Sequence, residues 1–319
     1  RTVSKRTVQR HLGVERELAR EDVDRHLRKL GQSLWEELIP PDLKALYAQE
    51  REQWRDRSLL IFSDEPHLPW ELVWPYDETA GVWEDEGPWC GTLDLARWLR
   101  KDERGNGNEM APTRLTLHRL TVLAPTYTRL GNLPAAQQER QTLIELAQRH
   151  QVESAGPAEP TWRGVLDFLE DGGYDWVHVA AHGSFYPETP DGDSALWLQE
   201  DHALSPQDLS GAAIRRTFVQ QRPGFFFNAC EVGRQGWTLT RISGWANRLV
   251  STGAGLFAGP LWAVQDAAAA TFAQAFYAAL LDGATVAAAT RQARLKAQTP
   301  GDPTWLAYSV YAHPNARLA

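Results

Sequence analysis

Two short apolar segments that lack polar alternation constrain the fold more than any other feature of the chain. WVHVAA (176–181) and GFFFNA (224–229) are typical of strands buried on both faces of a sheet. Further strands are predicted at 58–63, 115–125, 152–154, 195–199, 254–262 and 308–313. Helices are predicted at 134–150, 162–169, 242–251, 267–281 and 284–297. Since strands that alternate with helices form mostly parallel sheets covered on both faces, the sequence predicts an α/β fold.

The front of the chain has a different pattern. Apolar residues recur there at three-to-four spacing among many charges, which predicts helices broken by Pro40 and Pro41. The polar, glycine-containing segment 101–113 is the best candidate for a loop. We therefore expect three units: an N-terminal helical segment over 1–57, a front part over 58–112, and a main domain over 113–319. The first residue is Arg rather than Met, so we also expect an upstream region that this sequence lacks.

Composition narrows the classes of function. The 319 residues are 43% hydrophobic and 23% charged, as in ordinary globular proteins. A net charge of -8 argues against nucleic acid or an anionic membrane as the main partner. No apolar run of membrane-spanning length and no signal peptide is visible. With only two cysteines, a reducing compartment and a cytoplasmic location are expected.

Two of the predicted strands lead into chemically active side chains. The first ends at His182, followed by Gly183, and the second ends at Cys230. Carboxyl ends of parallel strands meet at one edge of a sheet, which is where sites form in such folds. Cys230 is therefore a candidate nucleophile and His182 its general acid and base. The amides of Gly183 and Cys230 are candidate donors to a developing oxyanion.

Each of these residues also has a simpler interpretation. A cysteine after three phenylalanines is often a buried structural thiol. His178 competes with His182 because it lies on the same face of the predicted strand. Cys90, between glycines and without a nearby histidine, is interpreted as structural.

Several separated motifs carry a family resemblance. The segments AAHGSF, NACEVG, GLFAGPLWAVQD, PTWLAYSVYAHP and, in the front part, LPWELVW resemble the CHAT family of caspase-like cysteine peptidases, over about Ser58 to Pro314. The resemblance implies a caspase-like, mostly parallel sheet with a degenerate, non-catalytic front half. It also implies hydrolysis of a peptide bond by a His182–Cys230 dyad that needs no metal and no other cofactor.

The substrate pocket stays open at this point. The chain lacks the caspase sequence around the cysteine, so cleavage after Asp is not carried over. Related separases resemble the chain at LWAVQD, which makes Asp266 a candidate for binding a basic side chain, although Asp266 is equally well explained as a helix cap. Asp193 is a second acidic candidate. Arg234 and Arg241 would instead favour an acidic side chain, or form a solvated loop face.

We therefore predict a cysteine endopeptidase that cleaves a specific protein substrate. The family's habits imply control by an attached sensor or activating partner, in a bacterial antiviral defence or cell-death circuit. Nucleic acid and membrane are not expected as direct partners. The alternative is a catalytically silent scaffold of the same fold, which the mutual geometry of His182 and Cys230 would distinguish. An esterase with a cysteine nucleophile is chemically possible but has no support in the sequence.

Overall fold

The computed structural model describes residues 19–63, 68–77, 83, 86–99, 110–157, 159–184, 194–229, 236–238 and 241–319. Among these residues the α-helices are α1 (Arg20–Leu38), α2 (Pro41–Trp54), α3 (Trp89–Thr92), α4 (Pro134–Arg149), α5 (Trp162–Asp171), α6 (Ala212–Gln221), α7 (Trp245–Thr252), α8 (Asp266–Leu281), α9 (Val286–Ala297) and α10 (Thr304–Ala307). The strands are β1 (Ser58–Phe62), β2 (Asp94–Trp98), β3 (Arg114–Leu115), β4 (Arg119–Leu123), β5 (Glu153–Ala155), β6 (Trp176–Ala180), β7 (Gly183–Ser184), β8 (Ala195–Trp197), β9 (Ala203–Leu204), β10 (Gly224–Asn228), β11 (Gly236–Thr238), β12 (Arg241–Ser243), β13 (Leu256–Pro260), β14 (Tyr308–Tyr311) and β15 (Arg317–Leu318). Three short 3-10 turns lie at Trp70–Leu72, Gln199–Asp201 and Pro206–Leu209.

A central eight-stranded sheet organises the molecule. Its strand order is β1-β2-β14-β13-β10-β6-β4-β5. All neighbouring strands run parallel except β13 and β14, which are antiparallel. The predicted mostly parallel α/β fold is thereby confirmed.

Helices cover both faces of this sheet, which explains the two non-alternating apolar segments. On one face, Trp176 and Phe226 pack in a core to which α4, α8 and α9 contribute. On the other, Val177, Phe225 and Phe227 pack with residues of α5, α6 and α7. Successive side chains of a strand point to opposite faces, so both faces of β6 and β10 must be apolar.

A glycine is required where β10 begins. A Cβ at Gly224 would lie 2.5 Å from the Trp176 ring on β6. The indole therefore packs over a position without a side chain, and this close approach helps to hold β10 against β6.

The front part joins the same sheet as the rest of the chain. β1 pairs with β2, and β2 meets β14 where Tyr311 lies opposite Arg97. An aromatic cluster that includes Trp35, Tyr47 and Trp89 packs α1 and α2 against it. α1 comes close to the 3-10 turn Trp70–Leu72, and the Trp74 N–H donates to the Gly31 carbonyl at 3.0 Å. A Cβ at Gly31 would lie 2.2 Å from the Leu72 carbonyl oxygen, so only glycine allows this contact.

The structure differs from the predicted elements at several places. The strand expected over 115–125 is two strands, β3 and β4, because the backbone N–H groups of His118 and Arg119 donate to the Asp175 carboxylate at 2.7 and 2.9 Å. The helix expected from 242 begins at Trp245. α6 had no predicted counterpart, and the predicted loop 101–113 falls mostly outside the described residues.

Strand β2, with the sequence DLARW, was also missed. The strand was not predicted because Asp94 and Arg97 are charged and look exposed in the sequence. Each is paired in the fold with an oppositely charged residue that is distant in sequence. Arg97 donates through Nε to Glu71 at 2.8 Å, and the Asp94 carboxylate accepts from Arg291 Nε at 2.8 Å.

Within the described parts of the chain, none of the helices combines the length and apolar character needed to cross a bilayer.

Candidate active site

The strand order places a crevice between the carboxyl ends of β4 and β6. From β4 the chain continues to β5 on one side, whereas β6 is followed across the sheet by β10 on the other side. In open α/β sheets, ligands bind where the direction of winding reverses in this way. The residues after β4 and β6 are therefore the first place to look for a site.

His182 lies at this crevice. The predicted strand was expected to end at His182, but β6 ends at Ala180, and His182 follows two residues later in a half-buried position. Its Nε2 lies 2.7 Å from the carbonyl oxygen of Gly131, in the segment after β4.

This contact determines which ring nitrogen carries the proton in the neutral imidazole, that is, its tautomer. A carbonyl oxygen can only accept a hydrogen bond, so Nε2 must carry the proton. Nδ1 of a neutral His182 then carries the lone pair and is the nitrogen that can exchange a proton with a substrate or a thiol.

Tyr127 holds the backbone at the same point. The His182 N–H donates to the Tyr127 hydroxyl at 3.1 Å, and that hydroxyl donates to the Trp197 carbonyl at 2.9 Å. The rings of Tyr127 and His182 also pack at 4.9 Å between centroids. Burial raises the pKa of Tyr127 to about 12, so the hydroxyl keeps its proton at physiological pH.

Asp201 organises the turn between Tyr127 and Gly131. Its carboxylate accepts from the Thr128 hydroxyl and from the N–H groups of Arg129 and Leu130, the last two at 2.8 and 3.3 Å. The Thr128 hydroxyl, followed by these backbone donors, lowers the pKa of Asp201 to about 2. Asp201 thus stays ionised and holds the turn that presents the Gly131 carbonyl.

These residues were not predicted from the sequence. Tyr127 and Gly131 lie in a loop and Asp201 ends a 3-10 turn, and no recognisable spacing in the sequence connects the three. One available signal was the position of the TYTRLG segment, which directly follows a predicted buried strand, at the edge where sites form.

Strand β10 leads along the chain to the predicted nucleophile, Cys230. Cys230 and Asp193 lie outside the described residues, so the structure does not place their side chains. The register of the two strands is described: Asn228, two residues before Cys230, lies opposite Ala180, two residues before His182. Strands β6 and β10 thus reach the same height at the same edge of the sheet.

Gly183, whose amide is a predicted oxyanion donor, directly follows His182 in the chain. Gly183 begins β7 and pairs with Leu196 of β8. His178 is fully buried in the core of the sheet, where its Nε2 contacts Glu139 at 2.7 Å. Cys90 is also buried, which raises its pKa to about 12. Neither of these two side chains is exposed to a substrate.

Asp266 lies at the first position of α8 and is exposed. The N-cap position belongs to Gln265, so the interpretation of Asp266 as the cap is wrong by one residue. Its carboxylate is still favourable in the first turn, where the helix dipole is positive. A role in a substrate pocket remains a prediction.

A cavity of about 480 Å³ opens beside the Tyr127–Gly131 turn. Its lining consists of uncharged residues: Pro125, Thr126, Asn132, Leu133, Pro134, Gln137 and Gln138. This cavity alone therefore does not select a basic or an acidic side chain. No cluster of three or more metal-ligating side chains occurs among the residues whose positions are described.

Comparison with known proteins assigns the family. The CHAT domain model matches residues 28–315, so the chain belongs to the CHAT domain family. The predicted resemblance is thereby confirmed. No curated protein matches the sequence.

Solved structures resemble the fold at low sequence identity. The Arg-specific cysteine proteinase gingipain R superposes with a TM-score of 0.57 at 10% identity, over 93% of this chain and 75% of that chain. The complex of the pro- and mature domains of Porphyromonas gingivalis RgpB gives 0.56 at 11% identity, over 97% and 74%. The Saccharomyces cerevisiae separase–securin complex gives 0.45 at 14% identity, over 66% and 13%. The likeness to gingipain R shows that the chain has the fold of the caspase-like cysteine peptidases.

Proposed function

We propose that the protein is a caspase-like cysteine endopeptidase, with Cys230 as the nucleophile and His182 as the general acid and base. One observation carries the proposal. The imidazole of His182 is held by the Gly131 carbonyl at the carboxyl-end edge of the sheet, at the level reached by the neighbouring strand that leads to Cys230. Family membership supports the same assignment.

The chemistry follows from the groups present. Nδ1 of the neutral His182 takes the proton of the Cys230 thiol, and the thiolate attacks the carbonyl carbon of the scissile peptide bond. The resulting oxyanion accepts hydrogen bonds from the amides of Gly183 and Cys230. As the C–N bond breaks, the departing amine takes a proton from Nδ1 of His182. Water, deprotonated by the same nitrogen, then hydrolyses the thioester and restores the thiol. Nε2 keeps its own proton throughout and donates it in a hydrogen bond to the Gly131 carbonyl oxygen.

The residue before the cleaved bond is a separate question. Gingipain R is named as Arg-specific, and an acidic side chain at the site would favour such a residue here. Asp266, exposed at the start of α8, and Asp193 are the candidates in this chain. Control by an attached sensor, a dedicated protein substrate, a cytoplasmic location and a place in a defence circuit are further predictions, which rest on the family resemblance.

A labelling experiment tests the proposal. Peptidyl acyloxymethyl ketones ending in Arg, Lys, Leu, Met or Asp are reacted with the wild type, Cys230→Ala and His182→Ala, and the adduct is located by peptide mass mapping. We expect an adduct on Cys230 that is absent in Cys230→Ala and formed at least about a hundredfold more slowly in His182→Ala. A preference for Arg or Lys that disappears in Asp266→Asn would assign Asp266 to the pocket.

Two variants serve as controls. Cys90→Ala removes the buried cysteine, and His202→Ala removes an exposed histidine of the same region. Both should label like the wild type. A wild type that no probe labels would contradict the peptidase and favour the silent scaffold.

A further inference from the structure

A buried polar network lies directly beneath the strand ends of the candidate site. Glu139 of α4 contacts His178 Nε2 of β6 at 2.7 Å, and the Asn228 Nδ2 of β10 donates to both of its carboxylate oxygens at 2.9 Å. Tyr308, the first residue of β14, donates its hydroxyl to Asn228 Oδ1 at 2.5 Å. The network therefore joins one helix and three strands.

The burial of this network makes its contacts costly to lose. His178 is 0% exposed and Glu139 only 6%. An unpaired carboxylate at such a position would keep the full penalty of desolvation, whereas charge-assisted hydrogen bonds offset it. The side chain of Asn228 has no freedom to invert, because its amide must donate to the carboxylate and its oxygen must accept from the tyrosine.

The position of the network relates it to the site. His178 lies in β6, four residues before His182, and Asn228 is the last residue of β10, two residues before Cys230. The Glu139 carboxylate thus bridges the two strands that lead to the two predicted catalytic residues. Glu139 also belongs to α4, which begins three residues after Gly131, whose carbonyl holds the His182 imidazole. The helix that carries Glu139 therefore directly follows the segment that holds the imidazole.

We propose that Glu139 and Tyr308 are positioning residues, which fix the relative heights of the β6 and β10 ends and thereby the approach of Cys230 to His182. This inference rests on the proposed peptidase function. Neither side chain touches the substrate. Each acts through Asn228, and Glu139 also acts through His178.

A positioning role and a purely structural role of Tyr308 predict different results. A matched pair of tyrosines in the chain allows the two roles to be distinguished. Tyr277 and Tyr308 are both fully buried, and both rings pack against Phe226, at 5.7 and 5.8 Å between centroids. The Tyr308 hydroxyl donates to Asn228, whereas the Tyr277 hydroxyl has no hydrogen-bond partner among the described residues. Replacement by phenylalanine removes one buried hydroxyl in each.

The experiment measures Cys230 reactivity in the wild type, Tyr308→Phe, Tyr277→Phe and Glu139→Gln. One arm uses the peptidyl ketone preferred by the wild type, and a second uses iodoacetamide at pH 5 to 9, which reports the thiol without peptide binding. Cys90 is buried with a raised pKa and is separated by peptide mapping. Melting temperatures are recorded, and all rates are taken well below them.

We expect the peptidyl rate to fall at least about tenfold in Tyr308→Phe and Glu139→Gln and to change less than about twofold in Tyr277→Phe. The pH profile of iodoacetamide should shift in the first two variants towards that of an ordinary thiol, near pH 8.5, and stay unchanged in the third. A change in melting temperature alone, with unchanged profiles, would overturn the inference.

The two arms separate failure of this inference from failure of the proposed function. A wild type that no peptidyl probe labels contradicts the peptidase, and with it the catalytic purpose of the network. If the wild type labels and all variants share its rates and profile, the peptidase stands and the positioning role is wrong.

Discussion

The front and back parts of the sheet each bury a carboxylate, but the hydrogen-bond partners of the two carboxylates differ. In the front part, Glu71 is fully buried and paired with Arg97, whose guanidinium contacts both carboxylate oxygens and also donates to the Leu68 carbonyl at 3.0 Å. In the back part, Glu139 is held by an imidazole and an amide.

The difference shows what each carboxylate is suited to do. A guanidinium is always charged and matches a carboxylate with two hydrogen bonds, so the front pair is a fixed link between β2 and the turn before it. An imidazole and an amide are weaker donors, but here they come from the two strands that lead to the candidate site. The front pair therefore ties the front part of the sheet together, whereas the back group relates two strand ends.

The largest loss of stability is expected when the Glu71–Arg97 pair of the front part is broken. Arg97→Met leaves Glu71 as a buried, unpaired charge, so the free energy of unfolding should fall by about 3–5 kcal/mol. Urea unfolding measures it. The double variant Glu71→Leu/Arg97→Met removes both charges and should regain most of this loss. If the double variant were as unstable as Arg97→Met, the pair would matter through packing rather than charge.

A smaller loss of stability is expected when the close-packed glycine of either part is replaced by alanine. Gly31→Ala and Gly224→Ala each force a Cβ against neighbouring atoms, at 2.2 and 2.5 Å, and should cost about 1–3 kcal/mol of unfolding free energy. Gly224→Ala should in addition slow peptidyl labelling of Cys230, because it displaces β10 against β6. Gly31→Ala should leave the labelling rate of the folded protein unchanged.

Gly156→Ala is the matched control for both, since its Cβ would find nothing nearer than 3.5 Å. Its stability and labelling should equal those of the wild type. Equal labelling rates in Gly31→Ala and Gly224→Ala would argue against a special role of the β6–β10 spacing.

The smallest effect concerns the turn that presents Gly131. The pKa of Asp201 lies at about 2 in the folded protein, below the ordinary value of about 3.9. Its carboxylate therefore stabilises the fold fully above about pH 4, and this contribution is lost as the pH falls towards 2. Asp201→Asn should be less stable than the wild type at pH 7, and the gap should narrow as the pH falls from about 4 towards 2.

Asparagine is the suitable replacement because position 201 has a φ of 57°, which Asn tolerates nearly as well as Asp. Urea unfolding at several pH values measures the gap. Thr128→Val, which removes the strongest contribution to the low pKa, should move the narrowing to higher pH. A gap independent of pH would contradict the assigned role of the carboxylate.

The sequence allowed the α/β class, most helices and the strands that lead to His182 and Cys230 to be predicted. These elements are visible in the local sequence. A run such as FFF is typical of a buried strand, α4 repeats its apolar residues every three to four positions, and α8 is rich in alanine. Strand β2 escaped because Asp94 and Arg97 look exposed until their partners are known, and those partners are distant in the chain.

The residues of the candidate site also fall into those that the local sequence predicted and those that only the structure identified. The residue types of His182, Gly183 and Cys230, each placed after or near a buried strand, were readable without a structure, because a strand end and a reactive side chain are both local features. Only tertiary structure decided that Gly131 fixes the protonated nitrogen of His182, that Asp201 holds the turn carrying Gly131, and that His178 belongs to the core. Such hydrogen bonds join residues tens of positions apart, and no periodicity or spacing records which buried donor will meet which acceptor once the sheet has closed.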